Sequence, residues 1–409
     1  MKILHSGTLD VNAGGPAMST YLTMLGLKRL GVEAEIVMPP LSPNGRLRGE
    51  EVAVHYSKMP IVKKFGYIPS LKRTIKRLGE FDIYHAQGIW LYHTYAMVDV
   101  AKAKGKPYLI TPRGMLYPQD IAKSNKAFKM LSLRWRLLND LNRAACVHTT
   151  CIEEMRHCRN LGVTAPCCIV PNPVEIKDYP HRKEDNIFRL GYLGRLSPRK
   201  NVEALIRAFA TLGSEAKDAE LLIIGGGDSE YEDFLRADVT RTGLRNVRFA
   251  GFLSGKEKDM AIASCSVLAM PSEFENLGNV ILEGLVRRIP CIATKGAPWE
   301  ELNSRKCGWQ VDFSQNAITD AVHQAMHTPT EELAMMGERG RRLMEERYSV
   351  DAVAKQMLAV YQWISGEIDK PDFIYVNKSL IGGVNLYHYE LIVISYGCRA
   401  ACLMERRAA

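Results

Sequence analysis

Glu275-Asn276-Leu277-Gly278-Asn279-Val280-Ile281-Leu282-Glu283, entered through Ala269-Met270-Pro271-Ser272, sets two carboxylates eight positions apart around a glycine turn and an apolar run. Val280, Ile281, Leu282, Leu285 and Val286 recur as the buried side of a helix that opens near Gly278. At helical spacing, residues eight apart differ by about 80° around the axis and by roughly 12 Å along it. The two acids then cannot share one proton or one metal, but they can hold opposite ends of an extended ligand. Backbone N–H groups from Leu277 to Val280 fall at the helix start, where donors lack intrahelical acceptors and an anion is stabilised. An acceptor for sugar hydroxyls, an anion nest over Asn276, Leu277, Gly278 and Asn279, and a second acid describe a nucleotide-sugar site.

The surroundings alternate strand and helix. In the first half, apolar strands are expected at residues 2–5, 35–38, 82–85, 108–111 and 146–149, with helical patterns at 17–30 and 128–143 between them. A second series starts at Phe188 and runs through strands at 221–225, 247–251, 267–270 and 290–293, separated by helices at 202–212 and 231–242. Such alternation implies an α/β chain with parallel sheets covered on both faces. Ile169-Val170-Pro171-Asn172-Pro173-Val174 and the polar residues 177–186 read as a solvated linker, because paired prolines resist helix. The expected organisation is a first domain at 1–173, a second at 187–348, a helix at 349–372, and a tail at 373–409 whose pattern gives no reading.

With 409 residues, 46 % of them hydrophobic and 24 % charged, the chain has material for two ordinary globular cores. It holds no long apolar run; the nearest, Leu391-Ile392-Val393-Ile394-Ser395, is far too short to span a bilayer. The start reads as a first strand rather than a secretion signal, so a cytoplasmic location is expected. Ten cysteines lie without Cys-x-x-Cys pairs or histidines at metal spacing, which points to buried reduced thiols. Charge is uneven: residues 1–180 hold 25 Lys and Arg against 14 Asp and Glu, leaving 29 against 31 for the remainder. The excess concentrates at Lys58, Lys63, Lys64, Lys72, Arg73, Lys76 and Arg77, and again from Lys123 to Arg143, interleaved with aliphatic and aromatic residues. These stretches suit peripheral contact with an anionic membrane, or equally a solvated basic face over a helical core. No recognised module accompanies the charge, so no nucleic-acid partner is expected.

Two further loops carry charge or glycine at strand ends. Gly194-Arg195-Leu196-Ser197-Pro198-Arg199-Lys200-Asn201 offers an Arg fork and a mobile Lys charge, both suited to phosphate oxygens. Gly14-Gly15-Pro16-Ala17 and Gly225-Gly226-Gly227-Asp228 let backbone approach a ligand, although neither completes Gly-x-Gly-x-x-Gly. Together with the Glu pair, these loops resemble the retaining glycosyltransferases of GT-B fold, the group 1 or family four enzymes with a Glu, seven residues, then a Glu.

That resemblance implies two Rossmann-like doubly wound domains facing across a cleft, the first binding the acceptor and the second a nucleotide-sugar donor. It implies that Glu275 accepts hydrogen bonds from the donor sugar, that Glu283 holds the ribose, and that Arg195 and Lys200 bind the diphosphate. Gly15 and Gly225 would lie near the donor, and Phe252 and Leu253 would wall its base, unless Phe252 is core. Relatives place a histidine near the position of Arg113, so no catalytic histidine is carried over. His85 is open to a sugar-side role or to a hydrogen-bonded structural one, and Arg113 to an acidic acceptor or a phosphate. No Asp-x-Asp occurs, which implies metal-independent transfer without a cofactor, the leaving diphosphate helping to deprotonate the acceptor. The acceptor would be a glycan or a lipid-linked saccharide of a cell-surface polysaccharide pathway. A UDP-sugar 2-epimerase-like isomerase and a non-catalytic scaffold are the alternative readings.

Overall fold

The computed structural model describes residues 1–43, 45, 51–123, 125–181 and 187–376. Cys398, Cys402 and the apolar run at 391–395 lie outside the described residues. The chain divides into two compact units: Met1–Pro173 with the residues from Val353 onward, and Val174–Ala352.

The first unit carries strands β1 (Lys2–Ser6), β2 (Glu33–Met38), β3 (Ala53–Tyr56), β4 (Ile83–Gln87), β5 (Tyr108–Thr111), β6 (Cys146–Thr149) and β7 (Cys167–Ile169). The second carries β8 (Arg189–Leu193), β9 (Glu220–Ile224), β10 (Val247–Gly251), β11 (Val267–Met270), β12 (Cys291–Thr294) and β13 (Gly308–Val311). A last strand, β14 (Ile374–Tyr375), returns to the first unit. The sheet orders are β14-β7-β6-β5-β4-β1-β2-β3 and β10-β9-β8-β11-β12-β13. Every pairing is parallel except β14 on β7. In each sheet the order reverses once, between β1 and β4 in the first and between β8 and β11 in the second. Loops leaving the carboxyl ends of strands at such a reversal diverge and leave room for a ligand.

Neighbouring residues on each strand of the first sheet serve opposite faces, as the strand period requires. Leu4, Tyr84, Ile110, Val147 and Cys167 join one core cluster, whereas Ile3, Ile83, Leu109, Cys146 and Cys168 join another. The second face is closed by the helix Val350–Ile364, whose Val353, Met357, Val360 and Tyr361 follow helical spacing and are buried. In the second unit, Leu190, Tyr192, Leu221, Ile223, Val267 and Ala269 pack under the helix Glu203–Leu212 and under Ile318 and Val322. All eight described cysteines are free and buried. Burial pushes the Cys167 thiol up to about 12 and that of Cys307 to about 11, away from the reactive thiolate.

Three local expectations need correction. The stretch 128–143 is not one regular helix: Lys126–Ser132 and Leu138–Asn142 flank a π turn at Leu133–Leu137. The wide turn offsets the drift of a four-residue spacing, so Leu133, Leu137 and Leu141 all reach the core. The polar linker is partly packed rather than solvated: Tyr179 is buried with the Arg287 guanidinium 3.9 Å from its ring centre. Residues 182–186 of that linker lie outside the described residues. The tail begins as structure, too. The Ile169 amide donates to the Phe373 carbonyl at 3.0 Å, Arg159 donates to the Tyr375 carbonyl at 3.0 Å, and Ile374 is buried. A two-residue strand is too short to leave a periodic signal. Ile374→Ala should lower unfolding stability by about 2–5 kcal/mol. A urea midpoint equal to that of the parent chain would show that β14 contributes nothing.

Candidate functional site

In the second unit the two strands flanking the sheet reversal, β8 and β11, each lead into a loop, and the loops are stitched together. The first, Gly194–Asn201, lies on the glycine loop after β9. The Gly194 amide donates to Ile224 O at 3.0 Å, the Leu196 amide to Gly226 O at 3.1 Å, and the Asp228 amide to Leu196 O at 3.0 Å. Gly225 has φ +145°, and a Cβ there would fall 1.8 Å from Gly194 O, so this close approach excludes any side chain. The Tyr192 hydroxyl donates to Arg195 O at 2.8 Å. A 3-10 turn at Pro198–Lys200 ends on Asn201 in the left-handed region, φ +53°.

The second loop, Pro271–Gly278, locks onto the first. Glu273 N donates to Arg199 O at 3.0 Å, and Asn201 Nδ2 to Pro271 O at 3.3 Å. Arg199 lies over Phe274, 4.6 Å from the ring centre. From below, Glu275 N donates to Gly296 O at 2.7 Å, and the buried Trp299 indole donates to Leu277 O. Gly278 has φ +76°, and a Cβ there would meet Met270 Cε at 2.6 Å. These bonds set Lys200 Nζ on Glu275 Oε1 as an ion pair, the two side chains only 16 % and 11 % exposed.

The helical geometry expected between the two acids applies to only one of them. The helix spans Asn279–Leu285, so Glu283 lies on it while Glu275 lies in the loop four residues before its first turn. The physical cause is Gly278, whose left-handed backbone starts the helix afresh. Leu277 is buried, and Asn276 and Asn279 are half-buried at the loop's end. Glu283 faces Lys258 as a second ion pair, with side chains 27 % and 28 % exposed. Each acid of the pair is therefore matched to its own lysine. Lys258, Gly296 and Trp299 carried no sequence signal, because their importance comes from distant loops meeting. Arg195 is exposed, and among the described residues its guanidinium has no hydrogen-bond or ion-pair partner. Phe252 follows β10 and is 82 % exposed, hence not core, with Leu253 half-buried beside it.

In the first unit Gly15 opens the helix Gly15–Arg29, after Gly14 at φ +79° and with Pro16 in the first turn. His85, in the middle of β4, is buried with both ring nitrogens engaged, Nδ1 with the Tyr361 hydroxyl at 2.8 Å and Nε2 with the Thr111 hydroxyl at 2.7 Å. Thr111 also meets His148 Nδ1 at 3.0 Å, and His148 Nε2 donates to Val170 O at 2.8 Å. This geometry is that of a satisfied structural histidine. Arg113, φ +58°, donates Nη1 to Ser19 Oγ at 3.0 Å and Asn172 Oδ1 at 2.8 Å, and Nη2 to Thr20 Oγ1 at 3.3 Å and Gln87 Oε1 at 2.7 Å. Its acceptors are neutral, and burial pulls its pKa down to about 10, so it remains a cation at neutral pH.

Known proteins match both units. Residues 14–173 match the family described as Glycosyl transferase 4-like domain, and residues 173–343 the family described as Glycosyl transferases group 1. The chain belongs to the group 1 glycosyltransferases. It is 27 % identical over 214 residues to a GDP-mannose-dependent monoacylated alpha-(1-6)-phosphatidylinositol monomannoside mannosyltransferase of Corynebacterium glutamicum, covering 47 % of this chain and 55 % of that protein. It is 24 % identical to O-antigen chain mannosyltransferase C of Escherichia coli, covering 88 % of this chain and 98 % of that one. Across the first curated relatives the chain spans about half their length or less, 55 %, 45 % and 38 %. Among solved structures, Anabaena HepE in complex with UDP-glucose superposes with TM-score 0.69 at 18 % identity, covering 90 % of this chain and all of that one. This likeness shows the fold, the GT-B class of two parallel-sheet α/β domains.

The buried histidines should make this group 1 glycosyltransferase acid-sensitive. Burial first, then the Arg113 charge, pushes His5 and His148 down to about 3. Burial, then the charges of His5, His148 and Arg113, holds His85 well below 6.5. A histidine depressed in the folded state leaves stability intact above the unfolded value near 6.5. As pH falls below that value only the unfolded chain takes up the proton, and stability is lost. At pH 4 the cost is roughly 3 kcal/mol for each of His5 and His148. Urea midpoints should therefore drop steeply between pH 6.5 and 4, and a flat profile would refute the neutral assignment.

Proposed function

We propose that this chain transfers a hexosyl group from a nucleoside diphosphate donor to a glycan or lipid-linked acceptor, with retention of anomeric configuration. The observation that carries the reading is the Lys200–Glu275 pair, held by loops from the two strands where the second sheet reverses. The unpartnered Arg195 fork on the first of those loops and the donor-bound structural relative support it. In this reading Arg195 and Lys200 neutralise the diphosphate, and a phosphate oxygen competes with Glu275 for the Lys200 ammonium. Glu275 then accepts from donor-sugar hydroxyls, and Glu283 from the ribose. Exposed Phe252, with Leu253, offers the nucleobase an apolar wall. No protein nucleophile is needed. Charge developing on the leaving diphosphate is stabilised by pre-placed cations, and the departing oxygen helps take the acceptor proton. Catalysis without metal or cofactor is part of the proposal.

Glu275→Gln should lower kcat about 100-fold or more with donor binding largely kept, because its contribution belongs to the reacting sugar. Lys200→Ala should raise the donor Kd about 10- to 100-fold, the loss of one charge-assisted hydrogen bond. A thermal-shift panel of UDP-, GDP- and ADP-sugars identifies the donor, since the ligand that binds raises Tm by mass action. An epimerised donor formed without any acceptor would replace transfer with isomerisation, and an inverted product linkage would end the retaining assignment.

The first unit supports a membrane-linked acceptor at the inner face of the plasma membrane. Lys58, Arg73 and Arg77, with Tyr56, Ser57, Ser70 and Thr74, line a cavity of about 390 Å³. Ser70 Oγ is buried there without a hydrogen-bond partner among the described residues. Met59 and Ile61 beside it are 61 % and 69 % exposed, and Trp135 on the second basic stretch is 81 % exposed. Among the described residues no helix is long and apolar enough to cross a membrane. Cations beside exposed apolar side chains fit an anionic lipid surface. The triple variant Lys58→Ala, Arg73→Ala, Arg77→Ala should bind anionic vesicles on the order of 100-fold more weakly than the parent, at about 1 kcal/mol per charge. Co-sedimentation that is unaffected by salt would rule out electrostatic docking.

A further inference from the structure

A second cluster of polar side chains in the second unit includes none of the residues assigned above to sugar transfer. Glu215 lies on the 3-10 turn Gly213–Ala216, while His323 and His327 follow one another by a helical turn at the end of the helix Gln315–Met326. His323 Nε2 stands 3.0 Å from Glu215 Oε2, and His327 Nε2 stands 3.7 Å from the same oxygen. All three donor atoms lie within 4.8 Å of one another, the one such group of three or more His, Cys, Asp or Glu side chains among the described residues. The side chains are about half exposed, so an ion can reach them from solvent.

We propose that Glu215, His323 and His327 form a surface site for a divalent transition metal of the zinc type. Tetrahedral zinc, with bonds of about 2.0–2.2 Å to nitrogen and oxygen, holds its donors roughly 3.3–3.6 Å apart. These two separations bracket that range and the third pair lies within 4.8 Å, so side-chain rotations bring all three donors onto one ion. Two imidazoles and one carboxylate leave a fourth position for water. The tautomer is already set on one ligand. His327 Nδ1 lies 2.9 Å from the His323 carbonyl, which can only accept, so Nδ1 carries the proton and Nε2 keeps its lone pair for the metal. The bound ion would tie the turn after the helix Glu203–Leu212 to the end of the helix Gln315–Met326. This site is independent of the transfer reading and stands if that reading fails.

The test uses the full chain without a histidine tag, stripped with chelator and titrated with Co²⁺ and then Zn²⁺. One equivalent of Co²⁺ should give weak visible bands without thiolate charge transfer, and Zn²⁺ should displace it and raise Tm. His323→Ala, His327→Ala and Glu215→Gln should each lower Zn²⁺ affinity at least about tenfold, the least that disturbing even an outer partner of a ligand costs. Donor turnover should be unchanged in all three. Absence of binding, a strong near-ultraviolet thiolate band, or affinity undiminished in every variant would overturn the proposal.

Discussion

The second unit's candidate site depends on hydrogen bonds that join the strand-end loops after β8, β11 and β12. Glu273 N to Arg199 O, Asn201 Nδ2 to Pro271 O and Glu275 N to Gly296 O together fix where Lys200 and Glu275 can be. A half-buried ion pair gains little net stability, because desolvation offsets most of the attraction. Its value is positional: a carboxylate and an ammonium are held at one point, and removing either leaves the other buried without its charge. The cost is carried by glycines. Gly225 and Gly296 sit where a Cβ would meet backbone at 1.8 and 2.0 Å, so the loops can approach closely enough for these bonds to form.

The first unit uses polar burial differently. His85, Thr111 and His148 link adjacent strands in a chain that ends on the Tyr361 hydroxyl of the helix Val350–Ile364. Arg113 lies near it, shared among four neutral acceptors. Buried imidazoles beside a buried guanidinium stay neutral, since burial and the Arg113 charge both disfavour a second positive charge there. The network therefore couples the helix Val350–Ile364 to the central strands by hydrogen bonds as well as by the apolar contacts of Val353, Met357 and Val360.

Much of this was legible before any coordinates. Strands such as Val267–Met270 and Tyr108–Thr111 are short apolar runs buried on both faces, and parallel sheets require such runs. The loop pair was legible too, since Arg195, Lys200 and Glu275 are charged groups on loops that follow strands. What escaped were features without a periodic pattern: the two-residue strand at Ile374, the π turn at Leu133–Leu137, and Tyr179 packing inside a stretch that reads as polar. The helical geometry assigned to both acids failed at Gly278, because a left-handed residue breaks the spacing that such reasoning assumes.

The sequence by itself determined the α/β class, the alternation that makes both sheets parallel, and the charged types offered at each strand end, because these follow from local periodicity and turn chemistry. Tertiary structure decided which charges meet. Lys200 reaches Glu275 across 75 positions and Glu283 draws Lys258, while His85 is consumed by Thr111 and Tyr361. Partner choice depends on loops distant in the chain being brought within about 3 Å, and hydrogen-bond energy falls away too steeply with distance for composition or spacing to specify it.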